Sequence, residues 1–460
     1  MESPLGSPLE RGGGRVSSSS DFESIAVVPL GDPSRASVYE HGWQSWSPAG
    51  TYSADLPASP RPHRPIWQTM AFRPGHPAPD RGFQGEGLLA VVPADGPIRL
   101  WRAADPARQV ASIRARLAQG RLHISADGPV FEIAPPSSLA AGLASVGAGL
   151  GEAAGARPVR PIGPGWCSWY GYGSEVTDAA VSENLEVIER EGLDVRLIQI
   201  DDGHQAEIGD WLEPSGRIAS MADLANRIRD GGREAGVWTA PFMVGERSRL
   251  AREHPEWLVR DAIGADRHWD QRIHVLDVTH PGAAAHLGDV FRTLRSWGFT
   301  MHKIDFLYGG AMDGGRHGDA DAVAAYREGL RIIRAALGDD ATILGCGAPL
   351  LPSIGLVDAM RISPDTDLRV EPLDGDVSQP SQRGAMTAGR AREWMHGRLW
   401  VNDPDCIIAA PDAEDREGWA TYLQSSGGLA MSGDRLAGLD RRGLELTRTL
   451  LRPSATEVTA

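Results

Sequence analysis

The chain has 460 residues, which exceeds what one small core usually holds and favours two domains. Its hydrophobic content of 41% and charged content of 23% are ordinary for a globular protein, and a net charge of -15 argues against a nucleic-acid partner. Cys167, Cys346 and Cys406 lie far apart without the spacing of a zinc site or a disulfide framework, so the sequence predicts neither.

Residues 1–21 are rich in Ser, Gly and Pro and predict a disordered lead-in. They lack the basic start and apolar core of a secretory signal. The sequence also has no apolar run of the roughly 18 residues that a membrane helix needs. We therefore expect a cytoplasmic protein with no membrane partner.

Residues 22–155 contain short strand-like runs separated by Gly, Pro and Asp, among them FESIAVVPL, ASVYE, GEGLLAVVP, PIRLWRA, RLHISAD and VFEIA. This spacing is typical of an antiparallel β-sandwich. Between two of the runs lies EHGWQSWSPAG, which carries Trp43 and Trp46. Two tryptophans in a loop either anchor the loop to the core or form a wall for stacking a sugar, and the sequence leaves both roles open.

Residues 156–452 alternate between strand-like and helical patterns. The predicted strands are PGWCSWY, VRLIQID, AGVWTAPF, FTMHKIDFLY, TILGCGAP, VDAMRIS, LWVNDPD and GLAMSG. Eight such alternations over roughly 290 residues predict a (β/α)₈ TIM barrel. A doubly wound open sheet is the competing fold, but no GxGxxG motif follows any strand. Residues 453–460 form a short tail.

The fourth predicted strand, at residues 299–308, combines Lys303 with Asp305 inside an apolar run. Lys303 is the only lysine of the chain. Side chains two apart on a strand share a face, so the cation is expected beside this carboxylate. Ionisable groups in an apolar run favour a functional site over a structural ion pair.

Acidic residues gather at the carboxyl ends of the strands, where a barrel carries its active site. Two carboxylates across such a mouth are what glycosidic bond cleavage requires. Asp305 is the expected nucleophile, because Lys303 would keep it ionised, and Asp365 is the expected proton donor. A pairing of Arg361 with Asp365 would hold the pKa of the acid down, so we expect Arg361 to face the sugar or Asp305.

Other polar and aromatic residues at these ends fit sugar binding. Asp201 and Asp202 suit strong hydrogen bonds to vicinal hydroxyls. Trp238 and Tyr172 offer flat apolar faces for a pyranose ring. We expect Asp403 and Asp405 of NDPD to have a structural role.

The motifs GWCSWYGYG, IQIDDGHQ, GVWTAPF, KIDFLYGG, GCGAPLLPSIGLVDAMRISPDTD and NDPDC resemble the signatures of glycoside hydrolase family 36, the melibiase-type α-galactosidases. The resemblance implies a retaining, exo-acting enzyme with no metal or cofactor, with Asp305 as nucleophile and Asp365 as acid/base. The implied sugar-binding residues are Asp201, Asp202, Trp238, Lys303, Cys346 and Arg361, with Trp43 favoured over Trp46 from the N-terminal domain. The family's usual C-terminal β-domain is expected to be absent or reduced to the tail, which leaves a homo-oligomer open.

The predicted substrate is a small α-galactoside or oligosaccharide. Transglycosylation and removal of α-N-acetylgalactosamine are alternatives that use the same machinery. A metal-dependent racemase or lyase, with Asp201, Asp202 and Asp305 as ligands, is the alternative of a different class. Lys303 would compete with a divalent cation there, and a chelator would test that alternative.

Overall fold

The structure is a computed structural model that describes residues 22–63, 71–262 and 267–452. The predicted lead-in and tail lie outside the described residues. Among those described, no helix has the length and apolarity needed to cross a bilayer.

The first part of the chain forms two antiparallel sheets. Their strands are β1 (Glu23–Pro29), β2 (Ser37–Glu40), β3 (Gly50–Ser53), β4 (Phe83–Glu86), β5 (Leu88–Val92), β6 (Arg99–Ala103), β7 (Ser112–Ala118), β8 (Arg121–Ala126) and β9 (Val130–Ile133). One sheet has the order β1-β8-β7-β4 and the other β3-β2-β5-β6-β9. Side chains from both sheets, such as Val28, Ile124, Val91 and Trp101, share one hydrophobic cluster. These sheets therefore bury a common apolar layer, as the sandwich prediction expects.

The run at residues 139–154 was not predicted as a helix but forms α1 (Leu139–Ala154), which is capped by Ser138 and Gly155. Its many glycines lower helix propensity and hide the pattern. They also allow a close approach, since a Cβ at Gly151 would lie 2.6 Å from the carbonyl oxygen of Arg398. Tertiary packing here outweighs the intrinsic propensity.

The rest of the chain carries eight parallel strands and one small antiparallel sheet. The strands are β10 (Gly165–Cys167), β11 (Leu197–Ile200), β12 (Glu234–Thr239), β13 (Met243–Gly245), β14 (Arg267–His268), β15 (Gln271–Val275), β16 (Phe299–Ile304), β17 (Thr342–Gly345), β18 (Ala359–Arg361), β19 (Val401–Asp403) and β20 (Met431–Ser432). The parallel sheet has the order β19-β18-β17-β16-β12-β11-β10-β20. The small sheet, β13-β15-β14, was not predicted, because strands as short as two residues leave little periodicity.

Successive parallel strands are neighbours, and the two ends of the sheet approach each other. The amide of Leu429, just before β20, donates to the carbonyl of Asn402 in β19 at 2.8 Å. The residues Cys167, Leu197, Met301, Leu344, Ala359, Val401 and Met431, one from each of seven strands, share a single buried cluster. This arrangement fits a TIM-like barrel with a packed interior.

Helices alternate with these strands, as the alternating pattern of residues 156–452 predicts. They are α2 (Trp169–Tyr172), α3 (Asp178–Glu191), α4 (Met221–Asp230), α5 (Arg249–Glu253), α6 (Pro281–Ser296), α7 (Ala322–Leu337), α8 (Gln382–Ala391), α9 (Arg416–Ser426) and α10 (Arg441–Leu450). Short polar residues begin them: Thr177, Ser220 and Asp321 each accept a hydrogen bond from a first-turn amide.

Candidate active site

Polar residues from several strands meet in one cavity at the carboxyl ends of the parallel sheet. Its volume is about 490 Å³, within the range of small-ligand sites. Six of the predicted residues line it: Asp201, Asp202, Trp238, Lys303, Asp305 and Asp365. The two carboxylates predicted to be catalytic therefore face the same space.

Lys303 pairs with Asp201. Its Nζ atom lies 2.8 Å from Oδ2 of Asp201, whose carboxylate also accepts from Gln199 at 2.8 Å. Lys303 was expected beside Asp305, and both line the cavity, but its ammonium donates to Asp201 because it reaches past β12 to the end of β11. Burial opposes the charge on Asp201, but Lys303, Gln199 and the amide of Asp202 together outweigh it and place the pKa of Asp201 below its usual value. Burial likewise opposes the charge on Lys303, yet Asp201 raises the pKa of this lysine well above 10.5.

Asp305 is oriented by two N–H donors. The indole Nε1 of Trp238 donates to its Oδ2 at 3.0 Å, and the amide of Phe306 donates to its Oδ1 at 2.7 Å. Phe306 has a φ of 51°, in the left-handed region that bulky residues rarely adopt. The predicted strand accordingly ends at Ile304, and a short 3₁₀ turn, Leu307–Ala311, follows.

Asp202, which follows Asp201 in the chain and also lines the cavity, accepts one hydrogen bond on each carboxylate oxygen. Gln205 donates at 2.6 Å and the indole of Trp269 at 2.8 Å. Burial raises the pKa of Asp202, and the two donors only partly oppose it. Each carboxylate oxygen keeps one lone pair for a further donor, such as a sugar hydroxyl.

Asp365 follows β18 on a loop, and Arg361 donates to its Oδ1 from Nη1 at 2.9 Å. Burial raises the pKa of Asp365 to about 7, although Arg361 acts in the opposite direction. A carboxyl group with such a pKa is suited to giving and taking a proton near neutral pH.

Four predicted sugar contacts do not line the cavity. Arg361 is 3% exposed and pairs with Asp365 and other carboxylates instead of facing the cavity, so this expectation is wrong. Cys346 is buried after β17, where its amide bonds to the carbonyl of Ile304. Tyr172 is not among the residues that line the cavity, and its hydroxyl accepts a hydrogen bond from Asn184 at 2.7 Å.

The fourth is Trp43. It packs in the core at 3% exposure, whereas Trp46 lines the cavity and meets the ring of Phe306 at a centroid distance of 5.0 Å. The preference for Trp43 is therefore wrong, since the loop turns between the two tryptophans. Arg392 holds this loop by donating to the carbonyls of Gln44, Ser45 and Ser47.

Several lining residues were missed, chiefly Trp169, His268, Trp269, Phe306, Tyr308 and Gln379. Trp269 sits in the two-residue turn between β14 and β15, where its φ is 49° and that of Asp270 is 55°. The sequence signal that could have predicted this part of the cavity is the tryptophan and histidine within the polar stretch RHWDQR. Within the described ranges, no three His, Cys, Asp or Glu side chains are grouped to hold a metal ion.

The chain resembles known glycosidases in sequence and structure. The Melibiase family model matches residues 178–306. The mouse (Mus musculus) myogenesis-regulating glycosidase is 28% identical over 148 residues, which are 31% of this chain and 21% of that protein. The matched region thus spans only about a fifth of that curated relative.

Solved structures match over a longer range. TtGalA, an alpha-galactosidase of Thermus thermophilus solved in complex with stachyose, has a TM-score of 0.76 and 27% identity over 92% of this chain and 91% of its own. The alpha-galactosidase AgaA of Geobacillus stearothermophilus, of glycoside hydrolase family 36, shares the fold with a TM-score of 0.62 and 13% identity, over 93% of this chain and 61% of its own. In its strand-end motifs, in the segment that the Melibiase model matches and in its fold, the chain is therefore similar to the melibiase-type glycoside hydrolases of family 36.

Proposed function

We propose that the protein is a retaining, exo-acting α-galactosidase that removes terminal α-galactosyl residues from small oligosaccharides. The observation that carries the proposal is that Asp305 and Asp365, from the ends of β16 and β18, line the same cavity. The similarity to TtGalA, which was solved with stachyose, supports the choice of an α-galactoside as substrate.

In the first step, a carboxylate oxygen of Asp305 attacks the anomeric carbon of the galactosyl group. Asp365 gives its proton to the glycosidic oxygen, and the bond between that oxygen and the anomeric carbon breaks. In the second step, Asp365 takes a proton from water, which attacks the anomeric carbon and releases Asp305. The result is galactose with its original α configuration.

The two acids differ in the way that these roles require. The donors from Trp238 and Phe306 fix both oxygens of Asp305, as an attacking group needs. Asp365, with its pKa of about 7, is able to carry the shuttled proton.

Charged and aromatic groups surround the space where the sugar would bind. Asp202 keeps acceptor capacity, and Lys303 keeps donor capacity beyond its bond to Asp201. Trp46 and Trp169 offer ring faces on the cavity wall. A site with the catalytic pair beside such walls suits one terminal sugar.

We propose two domains on this basis, with boundaries at residues 22–155 and 156–452. The first supplies Trp46 to the cavity, and the second supplies the carboxylates.

The test is turnover of p-nitrophenyl α-galactoside by the wild type and by Asp305→Gly, with and without azide. We expect the wild type to turn the substrate over and Asp305→Gly to lose this activity. Azide should restore turnover in the variant and give β-galactosyl azide as the product. Asp367→Gly is a matched control, because Asp367 pairs with Arg369 near the mouth and does not line the cavity. Absent wild-type turnover contradicts the α-galactosidase proposal, and an α-configured azide contradicts the assignment of Asp305.

Parallel assays separate the alternatives. Cleavage of p-nitrophenyl α-N-acetylgalactosaminide in place of the galactoside would favour the galactosaminidase, and oligosaccharide products longer than the substrate would favour transglycosylation. Activity that EDTA abolishes and a divalent cation restores would favour the metal-dependent class.

A further inference from the structure

Arg361 holds three carboxylates with one guanidinium group. Its Nη1 lies 2.9 Å from Asp365, its Nε lies 3.0 Å from Asp403, and its Nη2 lies 2.9 Å from Asp405. Each of its three nitrogens thus contacts a different acid. One positive charge is therefore shared by three negative partners.

The partners differ in burial. The side chains of Asp403 and Asp405 are 3% and 0% exposed, whereas that of Asp365 is 32% exposed at the cavity. A buried carboxylate without a partner is strongly disfavoured, so Asp403 and Asp405 need the cation more than Asp365 does.

Asp405 is fixed by further donors. Tyr170 donates to its Oδ2 at 2.5 Å, and the amide of Thr366, next to Asp365 in the chain, donates to the same oxygen at 2.8 Å. Its own φ of 86° lies in the left-handed region that non-glycine residues rarely adopt. Backbone strain of this kind persists where the surroundings impose it and is concentrated at functional sites.

Charged and titratable groups reach Asp365 from the neighbouring elements. They are Arg361 on β18, Asp405 beyond β19, Lys303 on β16, Asp305 just after β16, Cys346 after β17 and Tyr170 on α2. Lys303 is already paired with Asp201. Arg361 is thus the cation that contacts Asp365 directly.

We propose that Asp403 and Asp405 are positioning residues that neutralise Arg361, so that this arginine orients the carboxyl group of Asp365 without holding it ionised. This inference rests on the proposed role of Asp365 as the acid/base. The arrangement explains how Asp365 can contact an arginine and still donate a proton. The guanidinium of Arg361 fixes the position of the carboxyl group, while the negative charges of Asp403 and Asp405 offset its positive charge. The field of Asp405 also acts directly on Asp365 and favours its protonated form.

The test is Asp405→Asn, which keeps the shape of the side chain and removes its charge. The alkaline limb of kcat/KM for raffinose should move to lower pH by about one unit, since an arginine released from one partner favours the ionised form of Asp365. A substrate with a dinitrophenol leaving group needs no proton, so its rate should retain most of the wild-type value.

A second readout does not depend on activity. Carboxyl-¹³C NMR follows the titration of Asp365, whose signal is the one missing in Asp365→Asn, and the midpoint should fall in Asp405→Asn by the same amount as the kinetic limb. Failure of the wild type to cleave α-galactosides would refute the proposed function while this titration still tests the charge arrangement.

Asp358→Asn is the matched control. Asp358 precedes the opposite end of β18 and pairs there with Arg157 and Arg334. It should lower stability and leave the titration of Asp365 unchanged. An unmoved or raised midpoint in both Asp405→Asn and Asp403→Asn would overturn the inference.

Discussion

Lys303 on β16 donates at 2.8 Å to Asp201, past the intervening strand β12, although Asp305 stands only two positions away in the chain. The side chains of Lys303 and Asp201 are only 7% and 3% exposed, so two nearly buried opposite charges are in contact. The pair lies at the base of the cavity and ties the ends of β11 and β16 together.

Replacing Lys303 by Met should destabilise the protein by about 3–5 kcal/mol, because it leaves the carboxylate of Asp201 buried and unpaired. Urea unfolding at pH 7 measures the loss. The double variant Asp201→Asn with Lys303→Met should recover part of it, since neither charge then remains. A double variant less stable than Lys303→Met would contradict the pairing.

The contribution of the Lys303–Asp201 pair to the free energy of unfolding should depend on pH. Because the folded-state pKa of Asp201 lies below the ordinary 3.8, its contribution is present above that value and is lost as the pH falls through the lower folded-state pKa. The difference in unfolding free energy between wild type and Asp201→Asn should therefore stay constant from neutral pH down to mildly acid pH and narrow below 3.8. A difference that already narrows near pH 6 would contradict this sign.

Activity should fall as the pH rises through about 7 for substrates with poor leaving groups. The pKa of Asp365 is raised to that value, and only its protonated form donates to the leaving oxygen. The measurement is the pH dependence of kcat/KM for raffinose, with Asp365→Ala as the variant expected to lose the limb. A limb that persists in Asp365→Ala would assign it to another group.

Trp269→Phe should reduce kcat/KM by about 10-fold or more, because it removes a hydrogen bond to a charged carboxylate and keeps most of the ring. The indole N–H lies 2.8 Å from Asp202, and the ring meets Phe306 at 4.6 Å between centroids. Trp257→Phe is the control, since Trp257 stacks on His254 and does not line the cavity. Equal losses in both variants would indicate a general effect on folding.

Trp46→Ala should raise KM by roughly 10-fold through loss of a ring face on the cavity wall. Trp43→Phe should leave KM unchanged while lowering stability, because Trp43 is buried in the core. Steady-state kinetics and thermal unfolding of the two variants separate these roles. A raised KM in Trp43→Phe together with an unchanged KM in Trp46→Ala would indicate that Trp43, and not Trp46, contacts the substrate.

Local patterns were enough to predict the alternation of strands and helices and the end of the parallel sheet at which the cavity lies. Apolar periodicity, polar caps and acidic residues after strands such as β11 and β18 are properties of neighbouring residues, and the sequence displays them directly. Asp305 and Asp365 were found in this way, because residues at the carboxyl ends of parallel strands gather at one edge.

Partnerships across the barrel mouth were decided only by the tertiary structure. Lys303 bonds to Asp201 and Arg361 to Asp405, since burial forces each charge to its nearest geometric partner, whichever strand bears it. The short hairpin that brings Trp269 into the cavity has too few residues to show a period. The sequence by itself determined the alternation of strands and helices in residues 156–452 and the residue types at the strand ends, but it revealed neither α1 nor the small sheet. The folded arrangement determined which of these residues touch, because contact depends on the direction of each strand end and not on spacing along the chain.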